Sequence, residues 1–276
     1  MLSVAPTYET LKVQPLDAVR HQIRAGHYTA HTAGLANGFL QTNVVILPQR
    51  LALDFMRFCQ RNPRPCPLVG VSDTGHPLMA MLGGDIDIRT DVPRYNVYRN
   101  GTSAEQVTDI RQLWRDDFVA FALGCSFTFE HALMRAGHRL RHIENNSTVP
   151  MFRTNRDTVR AGPFGGSTVG SMRSLPKSEI PAVRDICARY PHAHGAPVYW
   201  GDPAEIGISD IARPDWGDPT PVNEGEVPVF WACGVTPQVA LEKASPEICI
   251  THTPGHMLIT EIKDEYDQEK WSEQER

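Results

Sequence analysis

Lysine is scarce in this 276-residue chain: of 27 basic side chains five are lysine and the rest are arginine. The formal net charge is −5, so the chain lacks the basic surplus that a nucleic-acid surface needs. Long apolar runs are missing too; no stretch approaches the roughly 18 consecutive apolar residues of a membrane span. The segment from Met1 to Glu9 has no basic region followed by an apolar core, so no secretory signal is expected there and a cytoplasmic location is. Cysteines stand at 59, 66, 125, 187, 233 and 249, without a CxxC pair or zinc-finger spacing. That pattern predicts reduced thiols, with no disulfide, metal or other cofactor. What remains is ordinary for a globular protein, 41% hydrophobic and 21% charged, and long enough for one large domain or two smaller ones.

Two segments share one design. Phe118–Glu130 and Val227–Gln238 are each an apolar strand that ends in Gly and Cys and runs directly into a helix start rich in hydroxyl groups. Strand carboxyl ends and helix amino ends are where α/β folds bind ligands, because unpaired backbone N–H groups and the helix dipole favour anions. In the second segment Thr236 is expected to cap the helix, with Pro237 in its first turn.

Around them, helices are predicted over 15–26, from Pro48 to Asn62, over 127–135 and over 178–190, each from apolar positions at helical spacing. Strands are expected at 67–71, 149–154, 167–173, 248–251 and 257–262, with short strands in the turn-rich 85–98 region and a short helix from Thr108 to Trp114. The charged tail from Lys263 is expected to fray. Residues 140–220 are dense in Gly, Pro, His and Arg. The pattern predicts an α/β protein: a mixed sheet flanked by helices in a main domain of residues 1–139 plus 221–276, and a smaller inserted α+β subdomain at 140–220. The chain is expected to return to the main sheet at the second strand end. No repeat of fixed period is visible beyond the two segments.

The chain resembles the D-glutamate cyclase family, whose members are labelled hydro-lyases. The resemblance is carried by Gly34-Leu35-Ala36 with Gln41 and Asn43, by Phe58 to Pro63 and Cys66-Pro67, and by Arg89-Thr90-Asp91 with Pro93-Arg94-Tyr95. It continues through Gly124 to Phe127, Glu130, Arg141-His142, Ser171-Met172-Arg173, His194 to Pro197, Gly201-Asp202-Pro203, residues 226–238, Thr251-His252 and Pro254-Gly255-His256. Phe39 stands where the family more often has Tyr, so no hydroxyl acts from that position. The resemblance implies a two-subdomain α/β fold and cyclisation of D-glutamate to 5-oxo-D-proline with loss of water. Dehydration of a related small carboxylic acid is left open.

That chemistry needs a base for the α-amine, an acid for the departing oxygen, a cradle for the tetrahedral oxyanion and an anchor for the carboxylate. His194 and His252 are the acid and base candidates because imidazole titrates near neutral pH, with Glu130 and Asp202 as orienting carboxylates. The order of acid and base is open. Backbone around Cys125, Ser126, Cys233 and Thr236 would form the cradle, and Arg141, Arg153 and Arg173 are anchor candidates. Asn155 and Gln238 carry amides suited to reading an amine or carboxylate, and His256 either touches substrate or holds its turn. Both cysteines are read as packing residues rather than nucleophiles. His192 and His194 have an H-x-H look, but no carboxylate or cysteine completes a metal spacing. The expected partner is a small carboxylic or amino acid, with no nucleic acid or membrane; a homo-oligomer is open. The competing reading is a non-catalytic carboxylate binder or a subunit of an oxoproline-processing assembly. A third is a Cys-dependent amidohydrolase.

Overall fold

The computed structural model describes residues 6–264. The tail expectation therefore falls largely outside the described residues, as does most of the segment read for a signal; Lys263 itself closes the last strand. Strands are β1 (Phe39–Pro48), β2 (Leu68–Val71), β3 (Tyr95–Arg99), β4 (Thr102–Val107), β5 (Phe118–Gly124), β6 (Met151–Asp157), β7 (Ser167–Pro176), β8 (Tyr199–Trp200), β9 (Glu226–Ala232), β10 (Ile248–His252) and β11 (Leu258–Lys263). Helices are α1 (Tyr8–Leu11), α2 (Leu16–Arg24), α3 (Gln49–Arg61), α4 (Phe127–Arg135), α5 (Arg141–Glu144), α6 (Ile180–Ala188) and α7 (Thr236–Ala244). Among them, no helix is long and apolar enough to cross a membrane.

The strands form a seven-stranded sheet in the order β2-β5-β1-β10-β3-β4, with β11 also on β1, and a four-stranded sheet in the order β6-β7-β9-β8. The α/β class and the second, smaller sheet agree with the sequence reading, and the pairings are antiparallel. One expectation fails. The strand Glu226–Ala232 does not return to the main sheet but pairs with β7 and β8 in the smaller one. The main sheet resumes only at β10.

β1 is covered on both faces, which is why its second half, residues 44–48, reads as an unbroken apolar run while Gln41, Thr42 and Asn43 are buried polar residues. Val44 and Ile46 join one core with Ala120, Ala122 and Val97, while Val45 and Leu47 join another with Phe55, Phe58, Phe121 and Leu123. Pro48 ends the strand and caps α3, whose Phe55, Phe58 and Cys59 are fully buried. A third core lies against the smaller sheet, where Leu175, Val229 and Trp231 meet Phe129 and Leu133 of α4 and Val183 of α6.

The strand registers reveal an internal duplication. β1 pairs β5 from Thr42↔Gly124 to Pro48↔Phe118, and β7 pairs β9 from Gly170↔Ala232 to Pro176↔Glu226, the same run in the same register. Each first strand ends in Leu-Pro and enters a helix, α3 or α6, whose Cys59 and Cys187 are equivalent. Each last strand runs through an equivalent cysteine, Cys125 or Cys233, into α4 or α7. The next strand after each of these helices to repeat the pattern is exchanged between the halves. β6 follows α4 but pairs with β7, and β11 follows α7 but pairs with β1, with Gly170↔Phe152 matching Thr42↔Leu258. The helices exchange too: α4 packs with α6, and Ala240 and Leu241 of α7 share a core with α3.

Candidate functional site

The two strand-to-helix corners face each other across one small cavity. Cys125, Ser126 and Phe127 line it from the first, Cys233, Gly234 and Val235 from the second. The rest of the wall follows the duplication: Asn43 of β1 and Ser171 of β7 are equivalent, as are Met257 and Met151, and Gly255 and Val149. Only two lining residues stand outside these pairs, His194 and His252. The space is about 20 Å³, enough for a water molecule and far too little for a five-carbon acid, so ligand entry requires the wall to part.

Both corners are built alike. The Thr128 and Thr236 N–H groups donate to the Cys125 and Cys233 carbonyls at 3.1 and 3.0 Å. The Phe127 and Val235 N–H groups donate to the two cysteine sulfurs. Each threonine hydroxyl accepts from the neighbouring first strand, Thr128 from Gln41 N–H at 3.1 Å and Thr236 from Val169 N–H at 2.9 Å. Thr236 is therefore not the helix cap expected of it; Val235 holds that position, and the hydroxyl ties the helix to β7 instead. Burial pushes the thiols up, Cys125 to about 12 and Cys233 to about 11, so both are neutral packing groups.

Glycine is required at both corners by close approach. A Cβ on Gly124 would overlap the His192 carbonyl, and one on Gly234 would overlap the Asn43 amide. Asn43 Nδ2 donates to the Leu123 and Gly124 carbonyls at 3.2 and 2.9 Å. Those acceptors fix the amide orientation and leave Oδ1 as its acceptor.

The histidines carry opposite tautomers, as assigned from their partners. His194, in a left-handed conformation with φ 75°, places Nδ1 2.7 Å from the Arg64 carbonyl. A carbonyl only accepts, so Nδ1 holds the proton and Nε2 presents a lone pair. His252 Nδ1 lies 3.1 Å from the Val44 N–H, a donor, with the Val44 carbonyl farther away at 3.3 Å. Its proton sits on Nε2, which is buried and has no partner. Burial lowers both rings to about 4, so both are neutral near pH 7. Gln238 stands behind: its Nε2 donates to the His252 carbonyl at 3.2 Å.

Behind the first corner lies a buried charge cluster. Arg173 is 2% exposed and Glu130 fully buried. The guanidinium pairs with Glu130 Oε1 through both Nη2 and Nε, the latter at 3.1 Å, and His142 Nε2 lies 3.0 Å from the same oxygen. Burial alone would raise the Glu130 carboxyl, but His142 beside it and the charge and hydrogen bonds of Arg173 outweigh it and hold Glu130 at about 2. Two further guanidinium hydrogens go to Ser126 Oγ at 2.9 Å and Ser171 Oγ at 3.1 Å. A hydroxyl that accepts from arginine keeps its own hydrogen to donate. Arg173 thus occupies one lone pair of each cavity serine and leaves its hydrogen to donate, but does not itself line the cavity.

Of the residues named from sequence, Cys125, Ser126, Cys233, His194 and His252 line the cavity. Glu130, Arg173, Thr236 and Gln238 are buried behind it. The others lie elsewhere. Arg141 is paired with Glu226 at 2.6 Å, and exposed Arg153 with Glu242 at 3.0 Å and over the Trp216 ring. Asn155 is exposed and donates at 3.4 Å to the Glu205 carbonyl; Asp202 is exposed and caps a short 3₁₀ turn through Ala204 N–H at 3.0 Å. None of these four lines the cavity, and the polar groups of each are engaged with the partners just named. His256 holds its turn through the Pro254 carbonyl at 3.0 Å. Sequence reasoning gave no site role to Asn43 or Ser171, although a polar residue inside a buried strand was the available signal. Among the described residues no group of three or more His, Cys, Asp or Glu is placed to hold a metal ion.

Comparison with known proteins gives a consistent relationship. The sequence profile of the family described as D-glutamate cyclase matches residues 119–261. A protein of Dinoroseobacter shibae is 67% identical over 258 residues, covering 94% of this chain and 86% of its own. One from Ruegeria pomeroyi is 62% identical, covering 94% of each, and one from Jannaschia sp. is 58% identical, covering 90% and 93%. All three bear the name "Putative hydro-lyase". The crystal structure of a nitrogen repressor-like protein from Methanococcus jannaschii aligns with a TM-score of 0.38 at 10% identity, too slight a likeness to bear on fold or function.

Proposed function

The chain belongs to the D-glutamate cyclase family, and we propose that it is a hydro-lyase that interconverts D-glutamate and 5-oxo-D-proline at the cavity between the two corners. The observation that carries this reading is the polarity of the cavity wall. Ser126, Ser171 and His252 Nε2 are donors, set between the amino ends of two nine-residue helices, and together they suit an anionic oxygen. His194 Nε2 is an acceptor among them.

In the forward direction His194 Nε2 relays a proton from the α-ammonium group toward the γ-carboxyl oxygens without standing as an imidazolium, and the neutral nitrogen attacks the γ-carboxyl carbon. The C–N bond forms as negative charge gathers on the carboxyl oxygens, which the serine hydroxyls and His252 Nε2–H stabilise. A neutral imidazole suits that role as a hydrogen-bond donor rather than as a source of a full proton. The C–O bond then breaks; the two protons lost by nitrogen leave on the departing oxygen as water, returned through His194. Arg173 and Glu130 act as positioning residues, holding the serines in donor orientation.

The test is to incubate the purified protein with D-glutamate, L-glutamate, 5-oxo-D-proline and small hydroxy acids and follow conversion by NMR. Turnover of D-glutamate or its lactam is expected, with a loss of about 10²- to 10⁴-fold in kcat/KM for His194→Ala and for His252→Ala. Ligand-induced thermal stabilisation with no conversion would instead assign a binding role.

A further inference from the structure

We infer that Asn43 is the residue by which this cavity tells an amino acid from the corresponding hydroxy acid or unsubstituted diacid; the inference rests on the carboxylate reading above. Its amide is locked. With Nδ2 committed to two carbonyls of the first corner, Oδ1 has no freedom to exchange places with the donor end. The side chain is 3% exposed, on the cavity wall, and packed against Gly234, where any larger residue would displace it.

The hydrogen-bond inventory of the wall gives this oxygen its meaning. Ser126, Ser171 and His252 Nε2 offer hydrogens and are matched by carboxylate oxygens. The acceptors are His194 Nε2 and Asn43 Oδ1. A substrate amine has hydrogens for both; a hydroxyl has one, and a methylene has none. A buried acceptor left unpaired weakens binding by about 10- to 100-fold. The duplication adds an independent argument. Ser171 is the equivalent of Asn43 in the other half, and with Arg173 on one of its lone pairs its hydroxyl hydrogen is left to donate. One position in the repeat is therefore a donor on one wall and an acceptor on the other, so the cavity reads the two ends of its ligand differently.

The experiment is calorimetric titration of the full chain with D-glutamate, D-2-hydroxyglutarate and glutarate, for the wild type and for Asn43→Ser. The wild type is expected to bind the amino acid about 10- to 100-fold more tightly than glutarate, with the hydroxy acid between. In Asn43→Ser the amino-acid preference should shrink by about tenfold while glutarate affinity changes little. A merely structural role would weaken all three ligands together and keep their ratio, which overturns the inference. Equal binding of D-glutamate and glutarate by the unmodified protein overturns it as well, even if the variant does not fold. A wild type that binds none of the three removes the carboxylate reading, and this inference with it.

Discussion

The two halves that meet at the cavity share a backbone and differ in chemistry. At the first corner α4 carries Glu130, a buried carboxylate held by Arg173 and His142. At the second, the equivalent position on α7 is Gln238, a neutral amide that steadies the His252 backbone. The shared part is the cradle: cysteine, threonine and helix amino end, twice. The unshared part breaks the two-fold likeness of the cavity wall, which would otherwise present the same groups from both halves. His194 and His252 complete the asymmetry; the loop after α3 has no histidine, and β10 has no counterpart on the smaller sheet.

The largest expected effect ignores the division between halves. Burial lowers His131 of α4, His194 and His252 to about 4. Below their ordinary value near 6.5 the unfolded chain takes up protons that the folded chain refuses. Stability is therefore full above pH 6.5 and declines toward pH 4, by about 1.4 kcal/mol per pH unit for each histidine. Glu130 behaves oppositely in origin: its carboxyl is held down at about 2, so its contribution is present above its ordinary 4.5 and is lost only between there and 2. Denaturant unfolding from pH 8 to 4 should show the histidine decline first; stability that is flat from 6.5 to 5 would refute the buried neutral rings.

The next effect separates the halves. Arg173→Met leaves Glu130 charged, buried and short of its main partner, and should cost about 3–5 kcal/mol in urea unfolding. Gln238→Leu, on the other side, removes two neutral bonds, one to the His252 carbonyl at 3.2 Å and a long one from the Tyr98 hydroxyl at 3.5 Å, and should cost about 1–2 kcal/mol. Equal costs would break the comparison. Smallest is the response of the thiols, where the halves should agree. With Cys125 and Cys233 neutral and buried, an alkylating reagent at neutral pH should modify neither faster than the protein unfolds. Rapid labelling of one and not the other would reveal a corner more open than its equivalent.

Local elements were legible because their signals are local. The apolar spacing of Leu51, Phe55 and Phe58 marks α3, and the strand-Cys-helix segments mark β5-α4 and β9-α7. What β9 pairs with was not legible, since the pairing partner of an apolar strand lies far off in sequence. Likewise nothing near Arg141 or Arg153 foretells Glu226 or Glu242, which occupy them. The β3–β4 hairpin did leave a signal, Asn100-Gly101 with φ 50° and 77°, the turn that tight hairpins prefer. The duplication was hidden by unequal insertions: β3 and β4 lengthen the first half between β2 and β5, and residues 201–225 lengthen the second between β8 and β9. Cys59 and Cys187, or Thr128 and Thr236, consequently recur without a fixed period. In the candidate site, both histidines were found from their chemistry, whereas Asn43 and Ser171 were concealed inside apolar strands.

The exchanged strands set the order in which a nascent chain can finish folding. While the ribosome is still making the second half, β1 has β5 along one edge, but the other edge must wait for β10 and β11, which follow every other described strand. An unpaired edge on so apolar a strand invites pairing with another chain. A chain stopped before β10 therefore leaves that edge of β1 unpaired, and translation pauses or premature termination there should deliver insoluble product rather than a soluble half.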